Sequence, residues 1–497
     1  MTKRAPTTLS LAERVAAKRP GEGRSILRSI LNAPHPPTPS PRGRGGAAVA
    51  LALLAFAAPL ALAPPAFAEQ AQARAERGVP VQLVTSPGGI QAWLVSDSTV
   101  PMIVLRAYWK GGSAIEREDM IGVTGVMTEM LTEGAGDLDA NAFKQRLEEL
   151  NMSLGFGAGW DGVAMSLTTL TENRDAAFDL ARMSLMQPRF DAAPLARIKS
   201  QIMVGIRSRE TNPSYIANLA IDQALYPNHP YARRSSVAST NAINRAAMID
   251  RRDALFTRDR MQITVVGDID AETLGRLLDQ TFAGLPSSSG PLPVVGDTGF
   301  STPTPLIVRE LPQPQSLVLF VAPGIQDEDP DWIPLAVANY ILGGGGFSSR
   351  LMDQVREQRG LVYGIGTGPS VRDASAAIRG SAQTENGDVA QAIEVTRAEM
   401  ARFYNEGATQ TEVNDAITYL TGSFALDLDS NSKIASVVHS YQAAGRDIDY
   451  INRRNDLIRA VTLDDVNRVI RRLFNPDAFT FVVVGQPEGL TPAAAQN

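Results

Sequence analysis

The stretch Leu342 to Gly366, LGGGGFSSRLMDQVREQRGLVYGIG, governs how the rest of the chain is read. Four consecutive glycines, Gly343, Gly344, Gly345 and Gly346, carry no side chains and tolerate positive φ, so the backbone there can lie close against another chain. From Phe347 the pattern turns helical. Phe347, Leu351 and Val355 recur at four-residue steps and predict one buried stripe, Ser348 and Ser349 can cap its start, and Gly360 suits the C′ stop. Leu361, Tyr363 and Ile365 then alternate with Val362 and Gly364, as in a half-buried strand. Arg356 falls in the last helical turn and Tyr363 just inside the strand, which positions a guanidinium and a phenol, both hydrogen-bond donors, to converge on one point. On pattern alone the same residues also fit a plain loop, a solvated helix face and a core tyrosine. The glycine run is not a phosphate cradle, because it lacks GxxxxGK[ST] and has no GxGxxG with an acidic residue about twenty positions on.

The chain has 497 residues, 44% of them apolar, enough to bury full cores in roughly two to four domains. The absence of cysteine excludes disulfides, thiolate metal sites and a cysteine nucleophile together. At the N-terminus, the apolar run Ala47 to Ala63 follows Arg42 and Arg44 and precedes Ala66-Phe67-Ala68, an A-x-A cleavage site. Residues 1–68 therefore read as a secretory leader cut after Ala68, which predicts a periplasmic mature chain. Pro59, Pro64 and Pro65 interrupt the run, and no second apolar span of about twenty residues follows, so no integral membrane span is expected after cleavage. The mature chain would carry 38 basic and 51 acidic residues, a net charge of −13 that argues against nucleic acid as a partner.

From Val79 onward, strand-like and helix-like stretches intermingle, and one plan occurs twice. Ala242 to Gly267 aligns without gaps on Ala460 to Gly485 at an offset of 218 residues, so that helix, loop, buried strand and glycine stop recur in register. The predicted fold is α+β, with two homologous halves, each a sheet covered by helices. The first half spans 79–285, a Pro/Ser/Gly-rich linker 286–303, and the second half 304–490.

With the duplication in view, the chain resembles the insulinase/pitrilysin family of zinc peptidases, in the two-domain form of bacterial and mitochondrial processing peptidases. KGGSAIERED, the helix opening Ile121-Gly122-Val123-Thr124-Gly125, MQPRF, YPNHPYAR, VVGDID and the Leu342 to Gly366 stretch carry the resemblance over about Val79 to Pro487. It implies a mitochondrial-processing-peptidase-like metallohydrolase fold. It also implies that Arg356 and Tyr363 match an arginine and a tyrosine that lean over the metal site of active members from the opposite half. In those members HxxEH on the first long helix holds zinc through two histidines, and its glutamate is the general base. Here HFLEHML is replaced by Gly125-Val126-Met127-Thr128-Glu129-Met130-Leu131, so both histidines and the base are missing. The third-ligand glutamate falls near Gly205 and is missing as well. No realignment restores the site, since His35, His229 and His439 are the only histidines and none has a partner four residues away. Glu129 is left as a lone carboxylate, read as a helix-surface charge.

The resemblance thus implies a chain that holds no metal. Its expected role is the non-catalytic subunit of a heterodimeric zinc endopeptidase, inactive alone, lending Arg356, Tyr363 and a chamber wall to an HxxEH-bearing partner that supplies the zinc and acts on peptides or unfolded proteins. Gly343 to Gly346 would form the surface over which substrate or partner slides. The rival expectation is a purely structural scaffold of the same fold. A peptidase of another chemistry is disfavoured, because no GxSxG, cysteine or histidine cluster offers a nucleophile or base.

Overall fold

The computed structural model describes residues 78–296, 298 and 305–490. The leader over 1–68, with His35 and Ala68, lies outside the described residues, as do residues 297 and 299–303 of the linker.

In the first half, strands β1 (Gln82–Thr85), β2 (Gln91–Ser96), β3 (Met102–Lys110), β4 (Ser153–Ala158), β5 (Gly162–Leu170) and β6 (Met261–Gly267) form one sheet in the order β1-β2-β6-β3-β5-β4. Only the β2–β6 pair is parallel. Helices α1 (Val123–Met130), α2 (Ala140–Glu149), α3 (Arg174–Met186), α4 (Ala192–Arg209), α5 (Pro213–Leu225), α6 (Val237–Ala242), α7 (Arg245–Leu255) and α8 (Ala271–Phe282) accompany it. Strand alternation decides what each face of the sheet covers. Along β3, Ile103, Leu105, Ala107 and Trp109 join the core under the helices of this half, whereas Val104, Arg106 and Tyr108 face the other way.

The second half repeats this plan. Strands β7 (Leu306–Glu310), β8 (Gln315–Pro323), β9 (Gly364–Arg372), β10 (Ser375–Glu385) and β11 (Thr480–Gly485) are ordered β7-β11-β8-β10-β9, and again a single pair, β7–β11, is parallel. This is the order of the first sheet without its β1 edge. Its helices are α9 (Trp332–Asn339), α10 (Val389–Glu406), α11 (Gln410–Gly422), α12 (Asn431–Ala443), α13 (Tyr450–Arg459) and α14 (Leu463–Leu473). The offset of 218 residues relates α7 to α14 at both ends, including their side-chain caps Asn244 and Thr462. It also relates α5 to α12, a helix earlier than the sequence match reaches.

The α5 and α12 pair joins the halves. Helix α12 of the second half lays Ile434, Ala435, Val437, Val438 and Tyr441 against Val95, Val104 and Val266 of the first sheet. Reciprocally, α5 of the first half packs Ala217, Ala220, Ile221 and Leu225 against Leu317, Val321, Val482 and Val484 of the second sheet. Each sheet therefore has its own helices on one face and a helix of the opposite half on the other.

A buried charge reinforces the α5 contact. Asp222, 2% exposed, pairs with Arg234 of its own half, with Arg379 of β10 at 3.1 Å and with Arg372 of β9 at 3.9 Å. Arg372 also lies over the rings of Trp160, Tyr226 and Tyr231. Nearby, the Tyr231 hydroxyl donates to Asp161 at 2.6 Å and accepts from the Ala374 amide at 3.0 Å, which again crosses between the halves. Removing one member of a buried, paired cluster strands the remaining charges. Asp222→Asn is accordingly expected to destabilise the protein by about 3 kcal/mol in denaturant titrations. A change within about 0.5 kcal/mol, as for an ordinary surface substitution, would contradict this.

Candidate functional site

Between the two sheets lies a cavity of about 2020 Å³, with walls drawn from both halves. Arg356, Tyr363, Gly343, Gly344, Gly346 and Phe347 line it on the second-half side, and Gly125, Thr128 and Glu129 line it on the first-half side. The structure thus brings the arginine and the tyrosine to the same cavity as Gly125, Thr128 and Glu129 of α1, the positions that the resemblance matches to a metal site. Gly205, in α4, is not among the lining residues.

The local structure of the Leu342 to Gly366 stretch departs from the regular helix and strand expected. Two wide π-type turns, Tyr340–Gly344 and Met352–Glu357, flank a short 3₁₀ turn, Gly346–Ser348. Their signature is hydrogen bonds that reach back five residues, from the Gly345 amide to Tyr340 and from the Gln358 amide to Asp353, at 2.9 Å each. Helical geometry therefore begins only after Ser349, whose carbonyl accepts from the Asp353 amide and whose hydroxyl donates to Gly346. The expected buried stripe is corrected accordingly. Leu351 and Val355 are fully buried, but Phe347 sits in the 3₁₀ turn before the helix and is 64% exposed. Gly360, at φ +66°, stops the helix as expected.

The glycines answer to their own chain. A Cβ at Gly343 would sit 2.5 Å from Thr367 Oγ1 and 2.8 Å from its amide nitrogen; one at Gly344 would meet Asn339, and one at Gly345 Tyr340. Close packing on β9, α9 and the first residue of the π turn accounts for three of the four, while Gly346 adopts φ +55°.

Arg356 is held rather than free in solvent. Its Nε donates to the Tyr363 carbonyl at 3.0 Å, its guanidinium pairs with Glu357, and it stacks 4.6 Å from the Phe347 ring centroid. Tyr363 precedes β9 instead of lying inside it. It is 57% exposed, and its hydroxyl reaches 3.5 Å from Glu385. The guanidinium meets the tyrosine backbone, not its phenol, so the two donor groups share a wall without touching. Phe347 and Glu385, which set these positions, were not legible as site residues. The one signal was that Glu385 ends the alternation of SAAIRGSAQTE with a charge.

Across the cavity, the residues that the resemblance matches to zinc positions do not fit a metal. Gly125 has no side chain, and the Thr128 hydroxyl is committed to the Gly125 carbonyl at 2.9 Å. Glu129 lines the cavity with its surface still exposed, and partial desolvation raises its pKa, with the Glu133 charge adding to the shift. Among the described residues, no group of three or more His, Cys, Asp or Glu side chains is placed to hold a metal ion. His229 is a turn residue, its Nδ1 accepting from the Tyr231 amide. His439 is buried where α12 crosses the first sheet, bonded to Thr264 at 3.2 Å, and its ring borders the cavity. No helix among the described residues is long and apolar enough to cross a membrane.

Duplicated sheet-and-helix halves around a chamber are the arrangement that the resemblance to two-domain metallopeptidases implies. Residues 242–420 match the family model described as the peptidase M16 inactive domain. The non-peptidase homolog YmxG of Helicobacter pylori is 24% identical over 389 residues, covering 78% of this chain and 89% of that protein. The crystal structure of a peptidase M16 inactive domain from Pseudomonas fluorescens superposes with a TM-score of 0.76 at 28% identity, covering 84% of this chain and 99% of that one. The periplasmic protease PqqL from Escherichia coli shares the fold at a TM-score of 0.70 and 14% identity, with 82% of this chain matched to 45% of that one. By this match and these relatives the chain is similar to the M16, or insulinase/pitrilysin, peptidases, and it lacks the HxxEH motif.

The buried histidine has a measurable consequence. Burial, with the nearby Arg106 charge adding to it, lowers the His439 pKa from 6.5 to about 4. Between those two pH values the unfolded chain binds a proton that the folded chain does not, so this group's contribution is intact above about pH 6.5 and is lost as the pH falls towards 4. Urea midpoints at pH 7.5 and pH 5 should therefore differ more for the wild type than for His439→Gln. Equal differences would show that His439 titrates alike in both states.

Proposed function

We propose that this chain is the metal-free subunit of a two-subunit peptidase whose partner, an HxxEH-bearing homologue, supplies the zinc. The observation that carries the reading is the composition of the chamber. Arg356 and Tyr363 line one wall, while the opposite wall of the same chain offers Gly125, Thr128 and Glu129 where a metal site would have to be. Donors placed this way serve chemistry that another chain brings. In that role both side chains donate to the peptide carbonyl oxygen as it gains negative charge, a contribution of roughly 3 to 4 kcal/mol per donor in a closed site. The substrates are extended peptides or unfolded segments, and Gly343 to Gly346 form part of the surface they pass over. The division into halves at 79–285 and 304–490 belongs to the same proposal. A periplasmic location is supported by the A-x-A leader, the lack of cysteine and the periplasmic location named for the PqqL neighbour.

A scaffold reading is favoured by one specific observation. Arg356 already has partners in the Tyr363 carbonyl, Glu357 and Phe347, as a purely structural arginine would. Two variants separate the readings. Tyr363→Phe removes a single hydroxyl, and Arg356→Ala removes the guanidinium together with its stacking on Phe347. Both should leave assembly with the zinc partner intact and lower turnover of the complex by something like ten- to a thousandfold. Assembly and cleavage at wild-type rates in both variants would leave the scaffold reading standing.

A further inference from the structure

Arg106 stands in the middle of β3, in MIVLRAYWK, on the face turned towards the chamber. In register it lies between Thr264 of β6 and Ser166 of β5. Its Nε is buried and has no hydrogen-bond partner, and no carboxylate among the described residues pairs with it. Burial lowers the pKa of the guanidinium, and no neighbouring charge offsets the effect. Two further polar atoms of the same wall are buried without partners, Gln262 Oε1 and His439 Nε2. His439 is only 4% exposed, and both residues line the cavity. Thr264 Oγ1 gives its proton to Gln442 Oε1 at 3.0 Å, so it receives one from His439 Nδ1, which assigns Nε2 as a bare acceptor. In front of this cluster the wall is low. Ser166, Gly155 and Gly157 are small, and a Cβ added at Gly157 would meet nothing within 4 Å.

A desolvated cation without a counter-charge is costly, as are buried acceptors without donors. The combination is selective. Phosphate or sulfate would answer the guanidinium but bring few donors for two acceptors, whereas a peptide carboxylate brings both, its oxygens for Arg106 and a neighbouring backbone N–H for Gln262 or His439. We infer that Arg106, with Gln262 and His439 beside it, forms a subsite that anchors a carboxylate of a peptide lying in the chamber. The carboxylate is either a C-terminus or an acidic side chain. The inference rests on the reading of the cavity as a peptide chamber, and it assigns the site to this chain, complete without the partner.

The test uses the full mature chain and one fluorescently labelled peptide sequence in four forms: free C-terminal carboxylate, C-terminal carboxamide, and the carboxamide with an internal Glu or an internal Gln. One acidic form should bind about tenfold more tightly than its neutral counterpart, the scale of one hydrogen-bonded charge pair. Which of the two pairs discriminates tells a C-terminus from a side chain. Arg106→Gln should abolish the preference while leaving the affinity of the neutral form unchanged, and Arg106→Lys should retain part of it. Equal binding of acidic and neutral forms by the wild type, a preference that survives Arg106→Gln, or no binding of any form would each overturn the inference. The wild-type comparison decides the matter even if a variant fails to fold. Cleavage by the two-subunit complex is a separate measurement, so the partner reading can fail without this one and this one without it.

Discussion

Two helices, each packed on the sheet of the opposite half, hold this protein together. Because α12 covers part of the first sheet and α5 part of the second, neither half can bury its second sheet face alone. That exchange leaves parts of both inward faces uncovered, and the uncovered parts become the chamber. Asp222, among Arg234, Arg372 and Arg379, makes the α5 contact one of charge as well as of apolar area. A buried cluster of this kind adds little net stability but strongly penalises any arrangement that separates its members. The relative position of the halves, and with it the distance across the chamber, is fixed by the same contacts.

Within that frame the second-half wall is built with little freedom. One π-type turn ends within the glycine run and a second follows the 3₁₀ turn, and glycine is required at Gly343 because Thr367 occupies the space a side chain would need. The turns deliver Arg356 onto the Tyr363 carbonyl, which holds the arginine stem while the phenol stays exposed. Donors fixed before a reaction begins need no reorganisation during it, which is the condition for electrostatic stabilisation of a developing charge.

Much of this was legible in the sequence wherever a periodic pattern met a matching stop signal. The repeat of Ala242 to Gly267 in Ala460 to Gly485 fixes α7, α14, β6 and β11. The π turns were not legible, because an extra residue in a turn leaves no mark on a four-residue spacing. The 3₁₀ turn at Gly346–Ser348 is equally silent in that spacing, which extends the buried stripe to Phe347 although burial begins only at Leu351. The helix exchange was hidden for a different reason: the apolar faces of α5 and α12 look the same whichever sheet they cover. Arg106 did leave a signal, a lone charge inside an otherwise apolar strand, but its meaning depends on which face of β3 is uncovered, and that is a property of the assembled halves.

The account depends on a division of labour between this chain and a zinc-bearing homologue. The most direct measurement is peptide cleavage by each purified chain alone and by their equimolar mixture, with and without a chelator. The account predicts a stable complex whose chelator-sensitive cleavage far exceeds that of either chain by itself. Metal-dependent cleavage by this chain alone, or a mixture no faster than the zinc-bearing chain, would contradict it.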